Sequence, residues 1–135
     1  MISPAESPVR VYPSTPRSSR EARDFVAGAL RRAAASESAV DDMSLIVSEL
    51  VANSVQHGDG GDIVVRVDPH SSEWYAVTVC NGLGAQRPPV DPAAWTVAPA
   101  DERSGRGLGI VRQLADEIEV TLDADRLDIT CRRRR

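Results

Sequence analysis

Apolar positions along the chain follow two different periods. Ala22, Phe25, Val26, Ala29, Leu30 and Ala33 recur at three- and four-residue intervals, the one-sided stripe of an amphipathic helix. Ser18-Ser19-Arg20-Glu21 fits a capping box, so this helix is predicted to begin near Ser18. A second helix follows Ser38 or Asp41 and runs to about His57, with Leu45, Ile46, Leu50, Val51 and Val55 on its buried side and Gly58 as its stop. The period then drops to two. Asp62 to Val67 is β-branched and alternating, and Trp74 to Cys80 follows after Asp68-Pro69-His70-Ser71-Ser72, which predicts an antiparallel hairpin. Residues 81 to 103 hold Gly82, Gly84, Pro88, Pro89, Pro92 and Pro99, a long loop of the kind that carries function in a compact domain. Trp95 is expected to anchor that loop by packing. A third helix uses Leu108, Val111, Leu114 and Ala115. Ile118 to Leu122 and Leu127 to Cys131 form a closing hairpin around Asp123-Ala124-Asp125. Residues 1 to 16 are rich in Pro and Ser and read as a flexible leader or edge segment, in which Val9-Arg10-Val11-Tyr12 could add a short edge strand.

Composition narrows the class. A chain of 135 residues supports one domain with a real core, here residues 17 to 131. Aromatics are 4% of it, so Val, Leu, Ile and Ala must build that core. No apolar run approaches the ~20 residues that span a membrane. No basic segment followed by an apolar one opens the chain, so no secretory signal is expected. Cys80 and Cys131 read as buried thiols in a reducing cytoplasm, and no cysteine or histidine spacing suggests a metal centre. The net charge of −4 argues against nucleic acid as the main partner. All 16 basic residues are Arg, so a positive group facing phosphate must be a guanidinium or a backbone dipole. Arg132 to Arg135 read as a basic tail, frayed and solvated.

The candidate chemistry lies in Glu49-Leu50-Val51-Ala52-Asn53-Ser54-Val55-Gln56-His57. With ~3.6 residues per turn, Glu49 and Asn53 project from one face and His57 continues the row. An oxygen-donor carboxamide suits a hard cation, and a carboxylate suits proton acceptance. Taken alone, the row fits better two residues on a solvated face. Ser104-Gly105-Arg106-Gly107-Leu108-Gly109-Ile110-Val111 is a glycine-rich turn entering a helix. Such a turn lets backbone approach a ligand and offers N–H groups to anions, although by itself it fits an ordinary tight turn.

Together, Glu-x-x-x-Asn on a helix, two strands and then Gly-x-Gly-Leu-Gly resemble the GHKL ATPase superfamily, and Ser48 to Gly58 is most similar to its anti-sigma-factor serine-kinase branch. The resemblance covers roughly Ser18 to Cys131. It implies a two-layer α/β (α+β) sandwich, a mixed, largely antiparallel sheet covered by about three helices, with ATP and Mg2+ as cofactors. Glu49 then matches the catalytic base and Asn53 the magnesium ligand. Gly105, Arg106, Gly107, Leu108 and Gly109 match the phosphate-cradling turn, with Arg106 adding charge and Arg103 a weaker candidate. His57 is expected to be structural.

The chain departs from the family at the first glycine box, where an Asp accepts from the adenine amino group. Val77-Thr78-Val79-Cys80 leads here to Asn81-Gly82-Leu83-Gly84. Aligned by the strand, Asn81 takes the Asp position; aligned by Gly82 and Gly84, Cys80 does. Asn81 is preferred, because its carbonyl oxygen can still accept. The implied activity is serine phosphorylation of a small antagonist protein, with a sigma factor as a further partner and homodimerisation common in the branch. The alternative is an interaction module of the same fold with weak or no ATP binding. The absence of sensor and phosphoacceptor domains disfavours the histidine-kinase and gyrase branches.

Overall fold

A computed structural model of the chain describes residues 7–84, 92–94 and 106–135. The elements run β1 (Val9–Tyr12), α1 (Arg17–Arg32), α2 (Glu37–His57), β2 (Ile63–Asp68), β3 (Trp74–Gly82), a short 3-10 turn (Pro92–Ala94), α3 (Arg106–Leu114), β4 (Glu117–Asp123) and β5 (Arg126–Arg134). The strands form one five-stranded sheet in the order β1-β2-β3-β5-β4. All four pairings are antiparallel, so the expected mixed sheet contains no parallel pair among the described residues.

Alternation decides which side of the sheet is covered. Val65, Val67, Val77, Val79, Leu127, Ile129 and Cys131 point one way and are buried. Ala22, Val26 and Leu30 of α1 and Met43, Ile46, Val47, Leu50 and Val51 of α2 meet them in one core. Period-two strands with one apolar face and helices with one apolar stripe leave a two-layer sandwich as the compact solution. The short strand anticipated at Val9 to Tyr12 is present as the sheet edge. No helix among the described residues is long and apolar enough to cross a membrane.

Several local expectations are corrected. The capping box at Ser18 does not form: α1 begins at Arg17 with no side-chain cap. Ser18 is instead buried and donates its hydroxyl to the Pro13 carbonyl, tying the approach segment to the helix. α2 is capped by Ser36, whose hydroxyl accepts from the Ala39 N–H at 3.1 Å, rather than by Ser38 or Asp41. Leu45 is 39% exposed and lies off the buried side. Gly58 does end α2, but in extended backbone with φ −76° and not in the left-handed form.

The arginine run is the largest correction. Arg132 to Arg134 are not frayed; they extend β5 and pair with Ala76, Tyr75 and Trp74 of β3. Because strand neighbours alternate in facing, the arginines take different partners. Arg132 lies 3.3 Å from Glu119. Arg133 donates to Asp42 at 2.8 Å and to Ser38 at 2.9 Å, stapling β5 to the first turns of α2. Arg134 stacks on Trp74 and Arg135 on Tyr75, with centroid distances of 5.0 and 4.6 Å. The Arg133–Asp42 side chains are only 19% and 29% exposed, so solvent screens this pair less than an open one. Replacing Arg133 by Gln is expected to lower unfolding stability by about 1–2 kcal/mol. The same change at exposed Arg134 should cost about 0.5 kcal/mol. Urea titration of both variants checks the ranking, and a frayed tail would show no loss in either.

Candidate functional site

The C-terminal half of α2 carries the row anticipated above. Its inward face is fixed by Ile46, Val47, Leu50 and Val51, all at most 1% exposed. With that face buried, Glu49 and Asn53 emerge at its margin and are half-buried. Gly107, the second residue of α3, lies against this margin. A Cβ built on Gly107 would stand 2.6 Å from Glu49 Oε2, closer than real Cβ atoms come. The carboxylate therefore packs on the first turn of α3, where peptide dipoles favour negative charge. Leu108 and Gly109 are buried behind that turn, with Leu108 and Val111 joining the core. The two motifs, far apart in sequence, are thus in contact. Gly105, Arg103 and Trp95 lie outside the described residues, and of Arg106 only the backbone is described, as the first residue of α3.

The end of the row nearer the C-terminus of α2 is built differently. Asn81, at the end of β3, is only 5% exposed. Its Nδ2 donates to the Gly82 carbonyl at 2.8 Å, and its Oδ1 faces the Ser54 hydroxyl at 3.0 Å. The Gly82 carbonyl can only accept, so it fixes which end of the amide faces which partner. Ser54 also reaches the Leu50 carbonyl at 2.9 Å. Around this pair backbone meets backbone: Asp59 N–H donates to the Gly82 carbonyl at 3.2 Å, and Gly58 bridges to Leu83. A Cβ on Gly84 would fall 2.6 Å from the His57 carbonyl oxygen. His57 closes α2 at this seam. Ser54 was missed in the sequence. Its signal was available, since a small polar residue one turn past Leu50 falls on the apolar face.

The two alignments of the first glycine box separate on geometry. β3 alternates, so Val77, Val79 and Asn81 face the helices. Cys80 faces the other way, on the side where the Thr78 and Thr130 hydroxyls meet at 2.8 Å. Burial, then the hydrogen bond to the Asp128 carboxylate, push the Cys80 thiol up to about 11. Cys80 therefore does not face the helix-lined site; Asn81 does. Directly opposite Asn81 on β5 is Leu127, buried and apolar.

Among the described residues, no group of three His, Cys, Asp or Glu side chains could hold a metal ion. Asn53 is the one predicted oxygen ligand. Magnesium is commonly held by one or two protein oxygens together with a substrate's phosphates, and this donor set fits that mode.

A two-layer sandwich with an acid and an amide on one helix, met by a glycine at the start of another, defines a class of nucleotide-binding domain. The chain matches the family described as histidine kinase-like ATPase domain over residues 12–132, and it belongs to that family. Its fold is similar to a crystal structure of the RsbU and RsbW domains of Rv1364c from Mycobacterium tuberculosis, with a TM-score of 0.70 at 18% identity. That match covers 97% of this chain and 32% of the other, so the chain spans about a third of the length of that solved chain. No curated protein sequence matches.

Both cysteines give a pH test. Burial holds the Cys131 thiol up to about 12, from an ordinary 9.0. Above pH 9 the unfolded chain gives up thiol protons that the native state keeps, so the unfolded state binds fewer protons and stability falls with rising pH. The contribution is complete below pH 9 and is lost progressively as pH rises toward 11 and 12. Burial also raises Tyr12, which pushes in the same direction. The urea midpoint should drop between pH 8.5 and 10.5, and the drop should shrink in Cys131→Ala.

Proposed function

We propose that the chain is an ATP-dependent serine protein kinase of the anti-sigma-factor type, which phosphorylates a serine of a small antagonist protein and regulates transcription through partner binding. The observation that carries this reading is the contact between Glu49 and Gly107, because it joins a proton acceptor to a phosphate-type glycine turn. Phosphoryl transfer asks mainly for positioning and charge stabilisation. Asn53 would hold magnesium bound to the nucleotide phosphates, and the metal would neutralise charge on the transferring group. Glu49 would orient the incoming serine hydroxyl and accept its proton. The α3 turn, from Gly105 through Gly109, would present N–H groups to phosphate oxygens, with Arg106 supplying the guanidinium. Gly82 and Gly84 would line the base end of the site, beyond Asn81. A sigma factor as second partner, a homodimeric state and a cytoplasmic setting belong to the same proposal.

One observation favours a second reading, an interaction module with weak or no ATP binding. The Asn81 amide is already engaged inside the protein by Ser54 and Gly82. Calorimetry with Mg-ADP separates the two readings, since an absence of binding at millimolar nucleotide selects the module.

The kinase reading is tested by incubating the chain with Mg-ATP and candidate antagonist proteins and detecting phosphoserine by mass spectrometry. Glu49→Ala should slow transfer by about 10²–10⁴-fold. Gly107→Ala, whose methyl group displaces the carboxylate, should fall in the same direction. Transfer at an unchanged rate in Glu49→Ala removes Glu49 as the base.

A further inference from the structure

The wall around Asn81 points to a nucleotide site that does not select its base. We infer that the chain accepts ATP and GTP about equally, and that Asn81 is a positioning residue of the α2–β3 seam rather than a base reader. The inference rests on the nucleotide-binding reading above. With Glu49 at the phosphoryl-transfer end and Asn53 on the metal, the nucleoside must lie farther along α2, toward Ser54 and the seam.

Four features of that end converge. First, Asn81 is the polar side chain that β3 turns toward α2 there, and it is uncharged. Adenine presents an amino group at C6 and guanine a carbonyl. A carboxylate, which only accepts, would favour adenine, whereas a carboxamide both donates and accepts. Second, the amide already spends a donor on Gly82 and has its oxygen against the Ser54 hydroxyl. Turning to suit a base would give up its own bond to the Gly82 carbonyl, which would keep only the longer one from the Asp59 N–H at 3.2 Å. Third, the residue opposite on β5 is Leu127, 3% exposed, which offers contact without hydrogen bonding. Fourth, the seam is closed by backbone, with Gly58 and Gly82 leaving no room for added side chains: a Cβ on Gly58 would collide with the Ser54 carbonyl, and one on Gly82 with the Asp59 carboxylate. The Asp59 carboxylate beside Gly82 is held by the Gly61 N–H, which its Oδ1 accepts at 2.8 Å. Selectivity would then come from the phosphates and magnesium, which all nucleoside triphosphates share.

The test is calorimetry on the full chain with the magnesium complexes of ATP, GTP and inorganic tripolyphosphate. ATP and GTP should bind within about threefold of each other, and tripolyphosphate within about tenfold of both. A preference for ATP over GTP of more than about tenfold overturns the inference while leaving the kinase reading standing. Failure of all three to bind at millimolar concentration overturns the kinase reading itself, and the inference with it. Asn81→Asp supplies a second readout. It should introduce a preference for ATP of about tenfold, because hydrogen bonds to a charged acceptor are stronger, and it should lower the urea midpoint through loss of the Gly82 contact. An unchanged ATP-to-GTP ratio in a folded Asn81→Asp protein counts against the inference. The wild-type comparison decides the matter even where that variant does not fold.

Discussion

The closeness of two backbones, where α2 ends and β3 ends, is the constraint on which the rest of this molecule depends. His57 and Gly58 lie so near Gly84 that a Cβ there would stand 2.6 and 2.7 Å from their carbonyl oxygens. Only a chain without a side chain at that point can make the approach. The contact sets where α2 ends its path over the sheet and at what height. Everything along α2 follows, including which residues enter the core and which are left at its margin.

The margin is where packing becomes chemistry. Leu50 and Val51 are sealed in the core, and this rotates Glu49 and Asn53 to the border between α2 and α3. α3 is held in turn by Leu108 and Val111, which share the same core. α2 lies on the sheet and α3 packs against α2, so the two helices present a carboxylate and a glycine to each other at close range. No single interaction at the site has to be strong, because the positions are over-determined by apolar burial on both sides. Arg133 contributes from a distance by fixing the other end of α2 through Asp42 and Ser38.

Most of this was legible from pattern. The strands around Val65 and Val77 and the helices around Val26 and Leu50 were recoverable because burial follows period two and period 3.6 directly. The Glu49–Asn53 row was legible for the same reason; Asn81 was preferred over Cys80 for its carbonyl oxygen, and the alternation of β3 adds that Asn81 is the one facing the helices. The failures share a cause. Ser18 carries a local capping signal, but a tertiary partner, the Pro13 carbonyl, claims its hydroxyl. Ser38 looks like a cap yet serves Arg133, while Ser36 does the capping. The arginine run looks like a tail because composition cannot show that each guanidinium meets a different, distant partner. Ser54 was overlooked because its role exists only once β3 is beside α2.

The place of β5 in the sheet has a consequence in time. It is the last strand in the order of elements, yet it lies inside the sheet between β3 and β4, and Thr78 meets Thr130 across 52 residues of chain. Until β5 docks, one edge of β3 has its backbone N–H and C=O groups unpaired, and no local turn can hurry that closure, because bringing distant segments together must come before their contacts reward it. α3 and its glycine turn lie within the span that this pairing closes. The site therefore depends on more than the motifs that carry it: it also needs the sheet to accept an inner strand from the far end of the chain.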